Sequence, residues 1–252
     1  MSRLQLPSSS GLRMDGRKPA ECRRLSLKMG VLHRAVDGSA QFQIGQTIVL
    51  AAVSGPREAD RWSDTRHDRA IVNVEFYASK FSGPERLKSS KGDSRSAIIE
   101  ATIRRVFEPI ILMQLFPRSE VSITVELIQN DGGVLPACIN AITLALINAG
   151  VPIEDFACAS SAGYIDSVPV LDLSYAERSV NGVETTVVVL PVSGKISLVE
   201  MESTLPADQF AMIMEAAVDG CHQMHRIMKK HIREHTFQTI QSDDTNRSTL
   251  LL

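Results

Sequence analysis

Residues 121–150 read VSITVELIQNDGGVLPACINAITLALINAG and contain, in direct succession, a candidate strand, turn and helix. Residues 121–128 alternate apolar with polar positions and are rich in β-branched side chains, which predicts a strand. The Asn-Asp-Gly-Gly sequence at 130–133 predicts a tight turn. Pro136 suits the first helical position, and the apolar run after it closes at Gly150, as a helix C-cap does. That helix is apolar nearly all round, so we expect it to be buried.

Further elements flank this stretch. Upstream, β-rich runs and turn signals predict an antiparallel meander over about 23–53 that ends at Gly55-Pro56, followed by a strand over 70–78. Apolar residues at helical spacing predict a helix over 94–115, stopped by Pro117. Downstream we expect strands at about 157–165, 184–190 and 196–201, and a long helix from Pro206 to about His235. This order lacks the strict alternation of a doubly wound sheet and indicates the α+β class.

The chain is predicted to form one domain between two less structured ends. Residues 1–20 contain prolines, glycines and three consecutive serines, which predict an extended N-terminal arm. Residues 21–237 are predicted to form a single domain, and residues 238–252 a flexible C-terminal tail. With 252 residues, 44% of them apolar, the chain can bury enough surface to fold without a metal or a disulfide.

The net charge of −2 hides a strong asymmetry along the chain. Residues 1–105 carry 19 Lys and Arg against 11 Asp and Glu, a balance of +8, whereas residues 106–252 carry 8 against 18, a balance of −10. A basic N-terminal part can attract a polyanion, while the acidic remainder limits how much of the surface can do so. The split therefore indicates either a localised nucleic-acid contact or basic-to-acidic packing between neighbouring subunits.

Several classes of protein are not expected. The longest purely apolar runs are far shorter than the roughly 18 residues of a membrane span, and the N-terminus lacks the apolar core of a secretory signal. We therefore expect an intracellular protein with no membrane partner. The four cysteines are widely spaced and form no C-x-x-C pair, which favours buried, reduced thiols. His231 and His235 share a helix face, but a histidine pair alone does not make a metal site, so none is expected.

Two charged loops are candidates for binding phosphates. The first, residues 57–69, mixes five basic residues with four acidic ones around Trp62, and it fits a solvated loop of local ion pairs as well as a phosphate-contacting loop with a stacking face. The second, residues 80–95, has five positive charges against two and leads into a helix. A basic side chain at Arg95 opposes the dipole of that helix, and an anionic partner is one use that would compensate.

The glycine turn at 130–133 also precedes a helix, where free backbone N–H groups converge and can hold a phosphate. Pro136 removes one of those N–H groups, and Val134 and Leu135 add neither a hydroxyl nor a charge. On these residues alone, an ordinary strand-to-helix turn is the favoured interpretation.

Short motifs stand in a specific order along residues 11–236. They are LRMDGR at 12–17, DGSA at 37–40, GQT at 45–47, PRS at 117–119, DGG at 131–133 and the segment from Asn140-Ala141 to Asp155. Together they resemble the RNase PH family, and within it the exosome ring subunits related to the archaeal phosphorolytic one. The resemblance implies an α+β RNase PH fold, with two related βαβ-type halves and mixed sheets packed on helices (ribosomal protein S5 domain 2-like). It also implies assembly into a six-membered ring whose central pore passes single-stranded RNA.

The same resemblance implies that three chemical elements of the family are altered here. Active members carry a phosphate-binding Thr-Arg-Ser/Cys-type stretch after the double glycine, where this chain has Val-Leu-Pro at 134–136. They place two aspartates six residues apart, one of which is associated with the general acid and the metal ion. At these positions this chain has Arg178 and Glu184. They bind substrate phosphates with a pair of adjacent arginines, and of this pair the chain has only Arg95.

Losing these elements together removes both the positioning of phosphate and the stabilisation of charge at the scissile bond. The favoured hypothesis is a non-catalytic, RNase PH-like ring subunit of the RNA exosome, with no catalytic residue, metal or cofactor. It would guide single-stranded RNA for 3′-to-5′ processing and decay, including rRNA processing. Two alternatives stay open: an active phosphate-dependent 3′-to-5′ exoribonuclease that uses Glu184 as acid and Arg95 for phosphate, and an RNA-binding module that acts alone.

RNA contact is expected through phosphates and not base edges. The residues expected to make it are Arg61, Ser63, Arg66, His67 and Arg95. The resemblance further implies other RNase PH-like ring subunits, RNA-binding cap subunits and an associated exoribonuclease as partners, and a location in the nucleus, including the nucleolus, and the cytoplasm. The charge split favours head-to-tail contacts between related subunits, which close into rings.

Overall fold

The computed structural model describes residues 12–13, 15–32, 35–58, 66–83, 94–165, 168–181 and 183–250. Among these residues lie nine strands: β1 (Leu25–Met29), β2 (Gly38–Ile44), β3 (Thr47–Glu58), β4 (Ile71–Ala78), β5 (Ser119–Gln129), β6 (Cys158–Ile165), β7 (Val168–Leu171), β8 (Glu184–Leu190) and β9 (Lys195–Met201). The α-helices are α1 (Ser94–Phe107), α2 (Val134–Ala149), α3 (Tyr175–Asn181) and α4 (Ala207–Leu250), and a 3-10 turn (Met113–Leu115) follows α1.

The first sheet has five strands in the order β1-β2-β3-β5-β4. β1, β2 and β3 form the predicted antiparallel meander, and β5 pairs antiparallel with β3. β4 and β5 are parallel, which requires a crossover connection, and α1 lies on that crossover and packs on β4. β3 continues to Glu58, so the predicted end at Gly55-Pro56 is wrong. A register shift between Ser54 and Arg57 lets pairing with β5 resume beyond the proline.

The second sheet has four strands in the order β7-β6-β8-β9, and all its pairings are antiparallel. α4 packs on β6 and β8, while α2 packs on β2 and β3 of the first sheet and on β6 of the second. α2 therefore lies between the two sheets, and every residue from Pro136 to Leu146 is buried, as predicted. A mixed sheet and an antiparallel sheet packed on helices confirm the predicted α+β class.

Gly38, in the DGSA motif, lets β2 approach α2 closely. A Cβ atom at this position would lie 2.4 Å from the Ala145 carbonyl oxygen and 2.4 Å from the Ala149 nitrogen, both of which belong to the α2 backbone. Neither atom can move without displacing the helix, so the motif glycine is required by packing between the first sheet and the central helix.

Two helix ends differ from the sequence predictions, and two short elements were not predicted. α1 ends at Phe107 instead of residue 115, because Pro109 restricts the residue before it and interrupts the helix. α4 continues to Leu250, past the predicted end near His235, since residues 236–250 contain no Gly or Pro to stop it. β7 and α3 are too short for a periodic pattern and were not predicted. No helix in the described part of the chain is both long and apolar enough to cross a membrane.

Candidate functional site

The turn between β5 and α2 is held by the first residue of β3. The Thr47 hydroxyl accepts a hydrogen bond from the Asp131 amide at 2.9 Å and donates one to the Gly132 carbonyl at 2.7 Å. The Gly132 amide donates to the side-chain oxygen of Asn130 at 3.0 Å. Gly132 and Gly133 have φ angles of +88° and +62°, which residues with a Cβ rarely adopt. The double glycine is therefore required by the turn itself, whether or not a ligand binds there.

The first turn of α2 offers backbone donors without polar side chains. Gly133 is the N-cap residue, and within the described ranges no side chain caps this helix end. Val134 and Leu135 pack against the hydrophobic core, and Pro136 is buried and has no N–H group. An anion at this position would meet helix amides but neither a hydroxyl nor a cation from residues 134–136.

Arg23, which lies just beyond the N-terminal arm, contacts this turn. Its guanidinium donates to both carboxylate oxygens of Asp172, at 2.7 and 2.9 Å, and to the carbonyls of Asp131 and Gly132, at 2.6 and 3.2 Å. Burial acts to lower the pKa of Arg23, but its hydrogen bonds and charge interaction with Asp172 outweigh burial and leave the pKa raised. The ion pair thus fixes the end of β7, where Asp172 lies, beside the glycine turn.

Arg13 forms a second buried ion pair with Glu177 of α3. The Arg13 Nε donates to Glu177 Oε1 at 2.8 Å, and Nη2 donates to Oε2, so the contact is bidentate. Glu177 also accepts from the amide and the hydroxyl of Ser174, at 2.9 and 3.0 Å, and so caps the start of α3. Burial acts to raise the pKa of Glu177, but the hydrogen bonds from Arg13 and Ser174 prevail and lower it.

Arg178 and Glu184, at which the sequence resemblance predicts the positions of the two family aspartates, pair with each other. Arg178 Nε lies 3.1 Å from Glu184 Oε2, and Arg178 Nη2 lies 3.4 Å from the carboxylate of Glu202. The Arg178 side chain is 45% exposed and that of Glu184 only 12%. Burial raises the pKa of Glu184, although the charge of Arg178 acts to lower it. These two positions therefore pair a guanidinium with a carboxyl group instead of placing two carboxyl groups together.

The structure describes three of the five predicted RNA-contacting residues, since Arg61 and Ser63 lie outside the described residues. Arg66 and His67 are exposed just before β4, and Arg95 is exposed in the first turn of α1, which has no acidic residue. α1, which carries Arg95, packs on β4, the strand that follows Arg66 and His67. Their contact with RNA stays a prediction.

Metal and thiol chemistry find little support in the described part of the chain. No three histidine, cysteine, aspartate or glutamate side chains among those residues are arranged to hold a metal ion. The four cysteines are free, and three of them are buried. Burial raises the pKa of Cys138 to about 12, so its thiol stays protonated and unreactive at neutral pH.

Sequence reasoning missed the buried ion pairs of the arm. Arg13 belongs to the LRMDGR motif, but neither the motif nor the spacing along the chain names a partner for it. For the other buried pair, between Arg23 and Asp172, one signal was present: Asp172 directly follows the apolar run VPVL of β7. A carboxylate at the end of a buried strand needs a cation or several donors, so this residue could have been singled out as one that requires a distant partner.

Comparisons with known proteins identify the family. The model described as the 3′ exoribonuclease family, domain 1, matches residues 21–152, and the model for domain 2 of that family matches residues 155–220. The chain is 41% identical over 237 residues to the Homo sapiens protein "Exosome complex component RRP41", covering 93% of this chain and 96% of that protein. It is 36% identical over 243 residues to "Exosome complex component Rrp41" of Thermococcus kodakarensis, covering 96% and 97%.

Solved structures agree with this fold. The crystal structure of rice (Oryza sativa) Rrp46 superposes with a TM-score of 0.79 at 25% identity, covering 88% of this chain and all of that one. A chain from the Archaeoglobus fulgidus exosome with RNA bound to the active site superposes with a TM-score of 0.75 at 19% identity, covering 86% and 92%. The second likeness supports the fold alone.

Proposed function

The chain belongs to the RNase PH family of 3′ exoribonucleases, and from this premise we propose that it is a non-catalytic ring subunit of an exosome. In this role it supports the ring and guides single-stranded RNA through the central channel for 3′-to-5′ processing and decay, including rRNA processing. Relatives named as exosome complex components align with more than nine-tenths of the chain, which supports the assignment to an exosome.

The observation that carries the non-catalytic role is the ion pair between Arg178 and Glu184. Two carboxylates at these positions could bind a metal ion or share a proton near the leaving oxygen. A guanidinium has donors only and stays charged at any working pH, so Arg178 can neither ligate a cation nor act as an acid. It also neutralises Glu184, which removes the negative field that a metal ion requires.

The start of α2 supports the same proposal. Phosphorolysis needs inorganic phosphate held in line with the scissile bond, because positioning supplies much of the rate. Here the residues after the double glycine are apolar or lack an N–H group, and Val134 and Leu135 are partly buried against the core. Placing phosphate by backbone amides alone leaves its charge uncompensated by any side chain of residues 134–136.

Retention of exposed cations supports RNA guidance. Arg66 and Arg95 are exposed on neighbouring elements, and neither belongs to the core. An arginine at a helix start opposes the helix dipole, and binding of an anionic partner such as an RNA phosphate would offset that cost at residue 95. The proposed partners are single-stranded RNA, other RNase PH-like ring subunits, RNA-binding cap subunits and an associated exoribonuclease.

One observation favours a second candidate, an active phosphate-dependent 3′-to-5′ exoribonuclease. Burial raises the pKa of Glu184, and a carboxyl group with a raised pKa is better suited to donate a proton to a leaving oxygen. In that case Glu184 would act as the acid and Arg95 would hold phosphate. The neighbouring guanidinium of Arg178 acts against this, because it stabilises the ionised carboxylate.

A degradation assay separates the two candidates. The chain, alone and with its co-purified ring partners, is incubated with single-stranded RNA with and without inorganic phosphate, and nucleoside diphosphates are measured. The proposal expects no phosphate-dependent release from the chain, and no change in the assembled complex when Glu184→Gln replaces the natural residue. Release that requires phosphate and disappears in Glu184→Gln would establish the active enzyme instead.

Partners and location are tested in cells that express the tagged full chain. We expect exosome components to co-purify with it, and the tagged chain to be found in the nucleus, including the nucleolus, and in the cytoplasm. A chain that purifies alone as a monomer, in the presence of related subunits, would contradict the ring assignment and favour a lone RNA-binding module.

A further inference from the structure

The outer surface of α4 carries a cluster of cations opposite its packed side. Cys221, Met224 and Met228 are buried and define the inner side of the helix. Positions three, four and seven residues apart share one side of a helix. Four exposed basic residues follow this spacing on the outer side: Arg226, Lys229, Lys230 and Arg233.

This cluster is unusual for the half of the chain in which it lies. Residues 106–252 contain only eight Lys and Arg against 18 Asp and Glu, yet four of those eight fall within residues 226–233. Glu234 is the one acidic residue next to them, and its contact with Lys230 is an exposed pair at 3.9 Å, which contributes little. The cations are also far from the last turn of α4, so the helix dipole does not explain them.

An exposed aromatic ring completes the surface. Phe237 follows Arg233 by one helical turn on the same side, and it is 66% exposed. The four cations, Glu234 and Phe237 border one shallow depression of about 430 Å³. We call these four cations and Phe237 the α4 basic face. From Arg226 to Phe237 it extends about 16 Å along the helix axis, at roughly 1.5 Å per residue.

We propose that the α4 basic face binds single-stranded RNA, with phosphates on the four cations and a base stacked on Phe237. A row of cations beside an exposed ring is the combination by which proteins hold single strands without reading their sequence. An acidic protein segment would bind the cations, but its carboxylates would gain nothing from the exposed aromatic ring of Phe237. The inference goes beyond the proposed channel role, because Arg66 and Arg95 lie on other elements, before β4 and on α1.

The test measures binding of a fluorescent 20-nucleotide oligo(U) to the full chain across a salt series. Lys230→Gln with Arg233→Gln removes two cations without reversing charge. For single strands, log K falls with log salt with a slope of about −0.7 for each phosphate contact. Losing two contacts should therefore make the slope less negative by about 1.4. The matched control, Arg104→Gln with Arg105→Gln, removes two exposed cations from α1 and should leave the slope unchanged.

The contribution of the aromatic ring of Phe237 is tested separately from that of the four cations. Phe237→Ala should weaken oligo(U) binding about fivefold or more, as expected for loss of one stacked base. Ile240→Ala, which removes an exposed apolar side chain without a ring from the same helix, should bind as the wild type does. Unchanged thermal unfolding of all four variants shows that the effects are on binding, since every substituted side chain is exposed.

Two results would overturn the inference. One is an unchanged affinity and salt slope for Lys230→Gln with Arg233→Gln. The other is equal binding of a poly-glutamate peptide together with no effect of Phe237→Ala, which would assign the face to an acidic protein partner. Repeating the series in a chain that carries Arg66→Glu and Arg95→Glu keeps the α4 result independent of the channel proposal.

Discussion

Arg13 and Glu177 are 164 positions apart in the sequence, yet they form a buried, bidentate ion pair. The pair ties the N-terminal arm to α3. The next residue of α3 is Arg178, which pairs with Glu184. The arm therefore holds α3, the helix that carries Arg178, although it contributes no strand or helix within its described residues.

Removing one partner of this pair should destabilise the protein strongly. Arg13→Met removes the bidentate partner of the buried Glu177 carboxylate and leaves it with the Arg17 guanidinium, at 3.9 Å, and the two donors of Ser174. Removing one partner of a buried ion pair costs about 3–5 kcal/mol, and Arg17 should keep the cost near the lower end of that range. The double variant Arg13→Met with Glu177→Met removes both charges and should be more stable than Arg13→Met alone. Urea unfolding followed by circular dichroism measures the free energy of unfolding of both variants. The control is Asp15→Asn, which breaks a more exposed pair with Arg17 and should cost no more than about 1 kcal/mol.

The pH dependence of stability should show the lowered pKa of Glu177. A carboxyl group whose pKa is lower in the folded state stabilises the protein above its unfolded value of 4.5, and this contribution is lost as the pH falls through the folded pKa. Glu177→Gln should therefore flatten the loss of stability on acidification, measured as urea midpoints from about pH 6 to 3. Glu184 has a raised pKa, so Glu184→Gln should have the opposite effect and steepen the loss. Equal slopes for both variants would contradict these assignments.

Arg178 should hold down the pKa of Glu184. In Arg178→Gln the cation is absent while burial remains, so the pKa of Glu184 should rise further above its ordinary value. Arg178→Lys keeps a positive charge and should shift it less. Carbon-detected NMR titration of the Glu184 carboxyl group measures this directly, and a fall of the pKa in Arg178→Gln would show that the ion pair does not control this residue.

The channel role predicts a dependence on RNA length. Arg66→Glu with Arg95→Glu should leave folding and assembly intact, because both side chains are exposed. Binding of single-stranded RNA should lose at least about 1.4 units of salt slope, equivalent to two phosphate contacts. In the assembled complex, degradation of long RNA by an associated nuclease should fall more than that of short RNA that need not thread. Wild-type degradation of long, unstructured RNA by the double variant, at low and moderate salt, would show that these residues do not guide it.

Elements with strong local signals could be predicted from the sequence. α2 was predicted together with its closing glycine, because its apolar run depends only on neighbouring residues. Its start was predicted at Pro136, whereas the helix begins at Val134, so Pro136 is the third helical residue. The strands of the meander were predicted from β-rich runs separated by turn signals, which are also local. The end of α1 was wrong because Pro109 outweighs the apolar periodicity that continues beyond it. β7 and α3 are too short to show a period.

By itself the sequence determined the α+β class, the buried central helix and the resemblance to the RNase PH family, since periodicity, caps and motif order are properties of nearby residues. Only the tertiary structure decided which charges meet. Arg23 and Asp172 are 149 positions apart, and the stacking of two sheets on α2 brings them to 2.7 Å. The same stacking pairs Arg178 with Glu184. The packing of the sheets and helices determines which buried charges are in contact, and a local sequence pattern contains no information about that packing.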